Sequence, residues 1–152
     1  PFTTGLLLGI GENQQDIRES LRAIAQIHQK WGHIQEVILQ PHSPGGKQVL
    51  DYPPFDLTQL PEVIRQGREI LPSDITIQIP PNLIQTPQLL LDCLDAGARD
   101  LGGIGPIDEV NPDYPHLQHQ RLREILRLGG WELVPRLPVY PQYYRMVESL
   151  LR

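Results

Sequence analysis

The chain of 152 residues is long enough for one ordinary domain with a real core, because a domain of this size buries roughly 70% of its unfolded surface. Thirteen Lys and Arg against eighteen Asp and Glu give a formal net charge of −5, spread along the chain, which argues against a nucleic-acid partner and against a disordered acidic arm. Cys93 stands alone, so an internal disulfide framework and a paired-cysteine metal site are both excluded, a usage that fits a cytoplasmic location, and no apolar run reaches the length of a membrane span.

The elements follow in chain order. Thr4–Gly9 (TGLLLG) is a short apolar run ending in glycine, the signature of a buried strand. Asn13 offers a helix N-cap with Asp16 as a capping-box partner, and Ile17, Leu21, Ile24, His28 and Trp31 recur on one helical face until Gly32. Glu36–Gln40 (EVILQ) reads as a second strand, followed by a Pro/Gly-rich loop, Pro41–Pro54. Thr58 caps a helix running to about Leu71, with Pro61 in its first turn. Asp74–Ile79 is a third strand, Thr86-Pro87 starts a helix that ends at Ala96-Gly97, and Asp100–Ile104 is a short fourth strand. A loop, Gly105–Pro115, leads to a helix from His116 to about Leu128. Trp131–Val134 reads as extended and Tyr143–Leu151 as a closing helix. The chain starts at Pro1, without Met, almost directly in a strand, and this reads as a cut inside a longer protein.

Strand, loop and helix in fourfold repetition imply βαβ units and an α/β fold with a parallel sheet. Two architectures fit: an open doubly wound sheet, or about half of a (β/α)8 barrel, which in full takes about 250 residues. In both, the loops at the carboxyl ends of the strands form the binding face. Those loops are Gly9–Asn13, Gln40–Pro54, Ile79–Thr86 and Gly103–Pro115.

In the first loop Gly9 and Gly11 permit a tight turn and close approach of a flat ligand, with Glu12 at the mouth; Gln14 stands where a dinucleotide fingerprint needs glycine. In the third, Pro80-Pro81 stiffens the chain and presents Asn82, whose amide donates and accepts at once. A turn that happens to use Pro-Pro-Asn explains it equally well. In the fourth, Gly102, Gly103 and Gly105 imply close backbone approach to a ligand or to a neighbouring strand. Among the histidines, His28 packs on a helix face and His116 and His119 read as solvated, leaving His42 as the one in a binding loop; Gln40 ends the same strand and is the better candidate to point into a site. Ser43 has no visible base, so nucleophilic hydrolysis has no support. Asp108 and Glu109 read as a solvated pair.

Taken together, Pro1–Glu12 (PFTTGLLLGIGE), Trp31–Ile38 (WGHIQEVI), Ile77–Leu83 (IQIPPNL), Asp95–Asp100 (DAGARD), Val110-Asn111-Pro112 and Arg136–Pro141 (RLPVYP) resemble a known family: the radical S-adenosylmethionine enzymes, and within them the small subunits of 7,8-didemethyl-8-hydroxy-5-deazariboflavin (FO) synthase. The resemblance runs from Pro1 to about Pro141. It implies the C-terminal half of a (β/α)8 barrel, strands five to eight. The missing N-terminal half would carry a CxxxCxxC loop holding a 4Fe–4S cluster, whose free iron binds S-adenosylmethionine. One electron would cleave that cofactor to methionine and a 5′-deoxyadenosyl radical. The radical would abstract hydrogen from a tyrosine-derived adduct of 5-amino-6-ribitylamino-uracil. Ring closure and loss of ammonia would then give the deazaflavin chromophore FO of coenzyme F420.

The resemblance assigns Thr4, Gly9, Ile10, Gly11 and Glu12 to the cofactor. It assigns Gln40, His42, Gln78, Pro81, Asn82, Gly103 and Asn111 to the small-molecule substrate. It names as partners the absent half of the same barrel and the large subunit of FO synthase. The loop after Gln40 (PHSPGGK) departs from the family's more usual Asn-Phe and basic residue, and Trp31 replaces a more usual Tyr. Two other readings compete: another radical S-adenosylmethionine barrel, of the biotin-synthase or menaquinone-pathway kind, and a non-catalytic half barrel that covers its open edges by self-association. CxxxCxxC is absent, so the chain alone is expected to be inactive.

Overall fold

Alternate residues of the apolar run Phe2–Leu8 are drawn to opposite sides of the backbone, and the segment forms strand β1. It runs parallel to β2 (Ile34–Pro41), with Leu6 opposite Leu39 and Leu8 opposite Pro41, and β2 runs parallel to β3 (Thr76–Gln78), with Val37 opposite Ile77. The computed structural model describes residues 1–46, 52–84, 86–105, 108 and 112–148. Among these the sheet is open and has the order β1-β2-β3.

Helices alternate with the strands. α1 (Gln14–Trp31) starts at the expected capping box: the Asn13 side chain accepts from the Gln15 and Asp16 N–H groups at 2.7 and 3.2 Å, and Asp16 accepts from the Asn13 N–H at 2.8 Å. Gly32, at φ 61°, ends the helix in the left-handed conformation that glycine adopts without strain. Ile17, Leu21, Ala25 and His28 form its buried face, whereas Trp31 is 64% exposed. The apolar spacing therefore located the right stripe but ran one turn too far.

α2 (Leu60–Ile70) follows a single 3-10 turn, Leu57–Gln59. Thr58 does not cap it; the Asp56 carboxylate takes that role one turn earlier, accepting from the Thr58 N–H at 3.0 Å. α3 (Pro87–Asp95) is capped by Thr86, α4 spans His119–Leu128, and α5 spans Tyr144–Glu148. Residues 149–152, where the closing helix was expected to end, lie outside the described residues.

Two expected strands are reduced. Asp100–Ile104 contributes one parallel bridge, Gln78 to Asp100, in place of a fourth strand, and Trp131–Val134 has no strand pairing. Gly102 and Gly103 deprive that segment of the side chains that hold a strand flat against its neighbours. The core lies between one face of the sheet and the helices. It includes Leu8, Leu39 and Ile77 from the strands with Leu21, Ile64, Leu90, Leu122 and Ile125 from the helices. α1 packs on α2, α2 on α3 and α3 on α4. Gly67 lets α2 lie close to the sheet, since a Cβ there would stand 3.1 Å from the Ile77 Cδ1. Strand alternation turns the other set, including Glu36, Ile38, Gln40 and Gln78, to the opposite face.

Candidate functional site

Three features occupy the second face of the sheet and its carboxyl end. The first is the turn after β1. Gly9 has φ 95°, and a Cβ there would lie 3.0 Å from the Phe55 Cβ, so both conformation and space require glycine. Gly11 has φ 114° but faces open space. The Glu12 carboxylate folds back on the turn and accepts from the Gly9 N–H at 2.6 Å and the Ile10 N–H at 2.8 Å. It thereby fixes the loop and leaves Ile10, 43% exposed, on the outer surface. Thr4 lies half-buried, paired with Val37.

The second feature is a cavity of about 460 Å³ at the carboxyl ends of β2 and β3. It gathers Gln40, Pro81, Asn82 and Gly103 from three loops, with Gln78 at the end of β3, residues that lie far apart in the sequence. Pro81–Leu83 forms a 3-10 turn that holds Asn82 in place. The Asn82 amide nitrogen donates to Asp108 Oδ2 at 2.8 Å and to the Tyr114 carbonyl at 2.9 Å, while its Oδ1 is buried without a protein partner. His116 also lines the cavity, and its Nδ1 is likewise buried without a protein partner. The Asn82 oxygen is an acceptor and the His116 nitrogen a donor or an acceptor by tautomer, so this wall offers a ligand two buried polar positions. The Tyr114 hydroxyl donates to the Pro44 carbonyl at 2.9 Å, which ties this segment to the loop after β2.

His42 is not among the residues lining this cavity. It is buried, its Nδ1 lies 3.2 Å from the Pro53 carbonyl, and its backbone N–H donates to the Leu8 carbonyl at 2.7 Å, joining the loops after β1 and β2. Asn111 lies outside the described residues. Asp108 and His116, read from the sequence as solvated, are instead half-buried in the cavity wall. Nothing local distinguished them, since their partner Asn82 is 26 residues from Asp108 in the chain.

The third feature is a charged network below the cavity. The irregular segment after α4 crosses the amino end of the sheet, where Gln35 clasps it: the amide donates to the Pro138 carbonyl at 3.0 Å and accepts from the Tyr140 N–H at 3.1 Å. This delivers Arg136 between two carboxylates. Its Nη2 donates to Glu36 Oε1 at 2.7 Å and its Nε donates to Asp100 Oδ2. The Tyr140 hydroxyl lies 2.9 Å from Glu36 Oε1 and 2.8 Å from Asp100 Oδ2, so its one proton serves one of them at a time.

Burial raises the Glu36 carboxyl above its ordinary value, and the Asp100 charge adds to this against the opposing effects of Tyr140 and Arg136. Burial acts the same way on Asp100. Hydrogen bonds from Arg136, the Gly102 N–H and Tyr140 outweigh it and hold that carboxyl below the usual range. A larger cavity of about 650 Å³ runs beside this network, with Glu36, Gln78, Gly102, Gly103 and Arg136 in its wall. A charged residue inside the apolar run of β2 was the available sequence signal for Glu36.

A parallel α/β chain with its cavity at the carboxyl ends of the strands has the arrangement of a ligand-binding α/β protein. Comparison with known proteins makes this more particular: over most of its length the chain is a close homologue of 7,8-didemethyl-8-hydroxy-5-deazariboflavin synthase. It is 69% identical to that synthase from Nostoc sp. over 143 residues, 94% of this chain and 42% of the relative. To the Thermosynechococcus vestitus synthase it is 66% identical, again over 94% of this chain and 45% of the relative. To the Gloeobacter violaceus synthase it is 57% identical over the whole chain and 47% of the relative. The chain thus spans less than half the length of these curated relatives. No family model matches it, and no solved structure matches it.

Proposed function

We propose that this chain is the C-terminal half of a radical S-adenosylmethionine FO synthase, of the small-subunit kind, and supplies one wall of its (β/α)8 barrel. The observation that carries the reading is the cavity at the carboxyl ends of β2 and β3, which unites Gln40, Gln78, Pro81, Asn82 and Gly103 in a chain 69% identical to a named deazariboflavin synthase. The succession of α1 to α4, each packed on the next, favours a barrel, because a doubly wound sheet sends helices to both faces. Completion of the barrel requires upstream residues of the same protein, and the large subunit of FO synthase is the pathway partner in this reading.

S-adenosylmethionine fits the turn after β1. Gly11 leaves its backbone open, Ile10 is exposed, and Glu12 holds the turn in one conformation. Gly9, Ile10, Gly11 and Glu12 would hold the cofactor there, with Thr4 behind them in β1. When bound and reduced, this cofactor supplies the hydrogen-abstracting radical. The iron–sulfur cluster does not fit this chain. Its one thiol, Cys93, is buried in α3 and pushed up to about 12 by burial, and among the described residues no group of three His, Cys, Asp or Glu side chains converges. The cluster ligands belong to the upstream half.

The substrate contacts are Gln40, Gln78, Pro81, Asn82 and Gly103, joined by Asp108 and His116. Asn82 Oδ1 would accept from an N–H or O–H group of a uracil bearing a ribityl chain, and His116 Nδ1 would donate or accept according to its tautomer. Asn82→Leu in the full-length protein should raise KM for the uracil adduct about tenfold or more while leaving S-adenosylmethionine binding unchanged. An unaltered KM would remove this cavity from the substrate site.

A further inference from the structure

Asn82 stands in the cavity wall with both of its side-chain N–H groups already used. The 3-10 turn Pro81–Leu83 holds its backbone, and its amide nitrogen donates to Asp108 Oδ2 at 2.8 Å and to the Tyr114 carbonyl at 2.9 Å. An amide nitrogen carries two protons, so none is left for a ligand. The same partners fix which end of the amide is which. Turned over, its oxygen would face the Tyr114 carbonyl, which donates in no protonation state. The Tyr114 segment is itself anchored: its hydroxyl donates to the Pro44 carbonyl at 2.9 Å, and the neighbouring Asp113 carboxylate accepts from the Gly46 N–H at 2.7 Å. What Asn82 retains is Oδ1, buried and without a protein partner. The sequence predicts an amide that donates and accepts at once; the fold leaves it an acceptor only.

We infer that Asn82 is a specificity-determining residue that reads one donor of the substrate, the imide N–H of the uracil ring, and that Asp108 is a positioning residue that keeps the Asn82 oxygen turned to it. The inference rests on this cavity being the substrate site. An imide N–H lies between two carbonyls, so the group that meets it must accept, and a donor beside that group completes the match. His116 Nδ1 belongs to the same wall and donates in the tautomer that carries its proton. Pro80 and Pro81, also in this wall, stiffen the turn that carries Asn82. A hydroxyl of the ribityl chain is a poorer match, because it both donates and accepts and an acceptor-only position does not select it. A ring whose imide nitrogen has no proton leaves Oδ1 buried and unpaired. Rejection of such a ligand comes from that lost bond.

The test measures binding by calorimetry to the full-length protein with its cluster, without reductant, so that nothing turns over. Two probes are compared: the uracil adduct, and the same compound methylated at the imide nitrogen. In the unsubstituted protein the methyl should weaken binding about tenfold or more. In Asn82→Leu the adduct itself should bind about tenfold or more weakly, and the methyl should then cost less than about twofold. Asp108→Ala should show the same two changes in smaller measure, and Asp108→Asn, whose side-chain oxygen still accepts from Asn82, should reverse them. A methyl penalty of equal size in the unsubstituted protein and in Asn82→Leu would overturn the inference about the imide. A penalty undiminished in Asp108→Ala, with both probes weakened alike, would reduce Asp108 to a structural residue and overturn its positioning role. An adduct bound as tightly by Asn82→Leu as by the unsubstituted protein would instead refute the cavity as the substrate site.

Discussion

Arg136 is the one cation bonded to Glu36 and Asp100 among the described residues, and it reaches them from a segment without regular structure. Removing it leaves two largely buried carboxylates facing each other. Arg136→Ala should lower the stability of the full-length protein by about 3 kcal/mol, and Arg136→Lys should recover only part of this because an ammonium lacks the forked geometry; urea midpoints measure both. The two carboxylates impose opposite pH dependences. Glu36 is raised, so the folded protein binds its proton more tightly than the unfolded chain does; that stability is complete below pH 4.5 and is lost as pH rises through the folded value. Asp100 is lowered, so its contribution is present above pH 3.8 and is lost as pH falls through the folded value. Midpoints measured against pH should lose the upper slope in Glu36→Gln and the acid-side slope in Asp100→Asn. In the first loop, Gly9→Ala should cost more than Gly11→Ala, about 3 against about 1 kcal/mol. Both force alanine to positive φ, but only at Gly9 does the new Cβ meet Phe55.

The helices show what a sequence discloses at the scale of elements. Asn13 and Asp16, three residues apart, predict a start that the hydrogen bonds of α1 reproduce, and Asn13→Ala should cost about 1 kcal/mol in a urea titration. Caps and apolar stripes are local, and so α1, α3 and the strand character of β1 and β2 were legible. Thr58 misled because Asp56, two residues earlier, caps the turn by accepting from the Thr58 N–H and also takes the Thr58 hydroxyl as a donor at 2.7 Å. The segment after Gly129 could not be read, since its conformation depends on Gln35, more than a hundred residues away in the chain. The cavity was half-legible. Strand-end position marked Gln40, Asn82 and Gly103 and the family resemblance marked Gln78, whereas Asp108 and His116 join them only through the fold. His42 occupied a promising loop, but its side chain lines no part of this cavity.

For the whole molecule, the sheet is covered by helices on one face, and among the described residues β1 pairs only with β2. Its outer edge carries Phe2, 55% exposed, and Leu7, 43% exposed, a combination that invites another strand. The isolated chain should therefore self-associate with rising concentration in sedimentation, and the upstream half of the proposed barrel should suppress this when joined to it. The central claim, that this chain completes a deazaflavin-forming barrel, is tested most directly by product formation. The full-length protein, reconstituted with its cluster and given reductant, S-adenosylmethionine and the tyrosine-derived uracil adduct, is predicted to release the fluorescent deazaflavin, and the chain alone is predicted to release none. Cleavage of S-adenosylmethionine by the full-length protein without any deazaflavin would contradict the account.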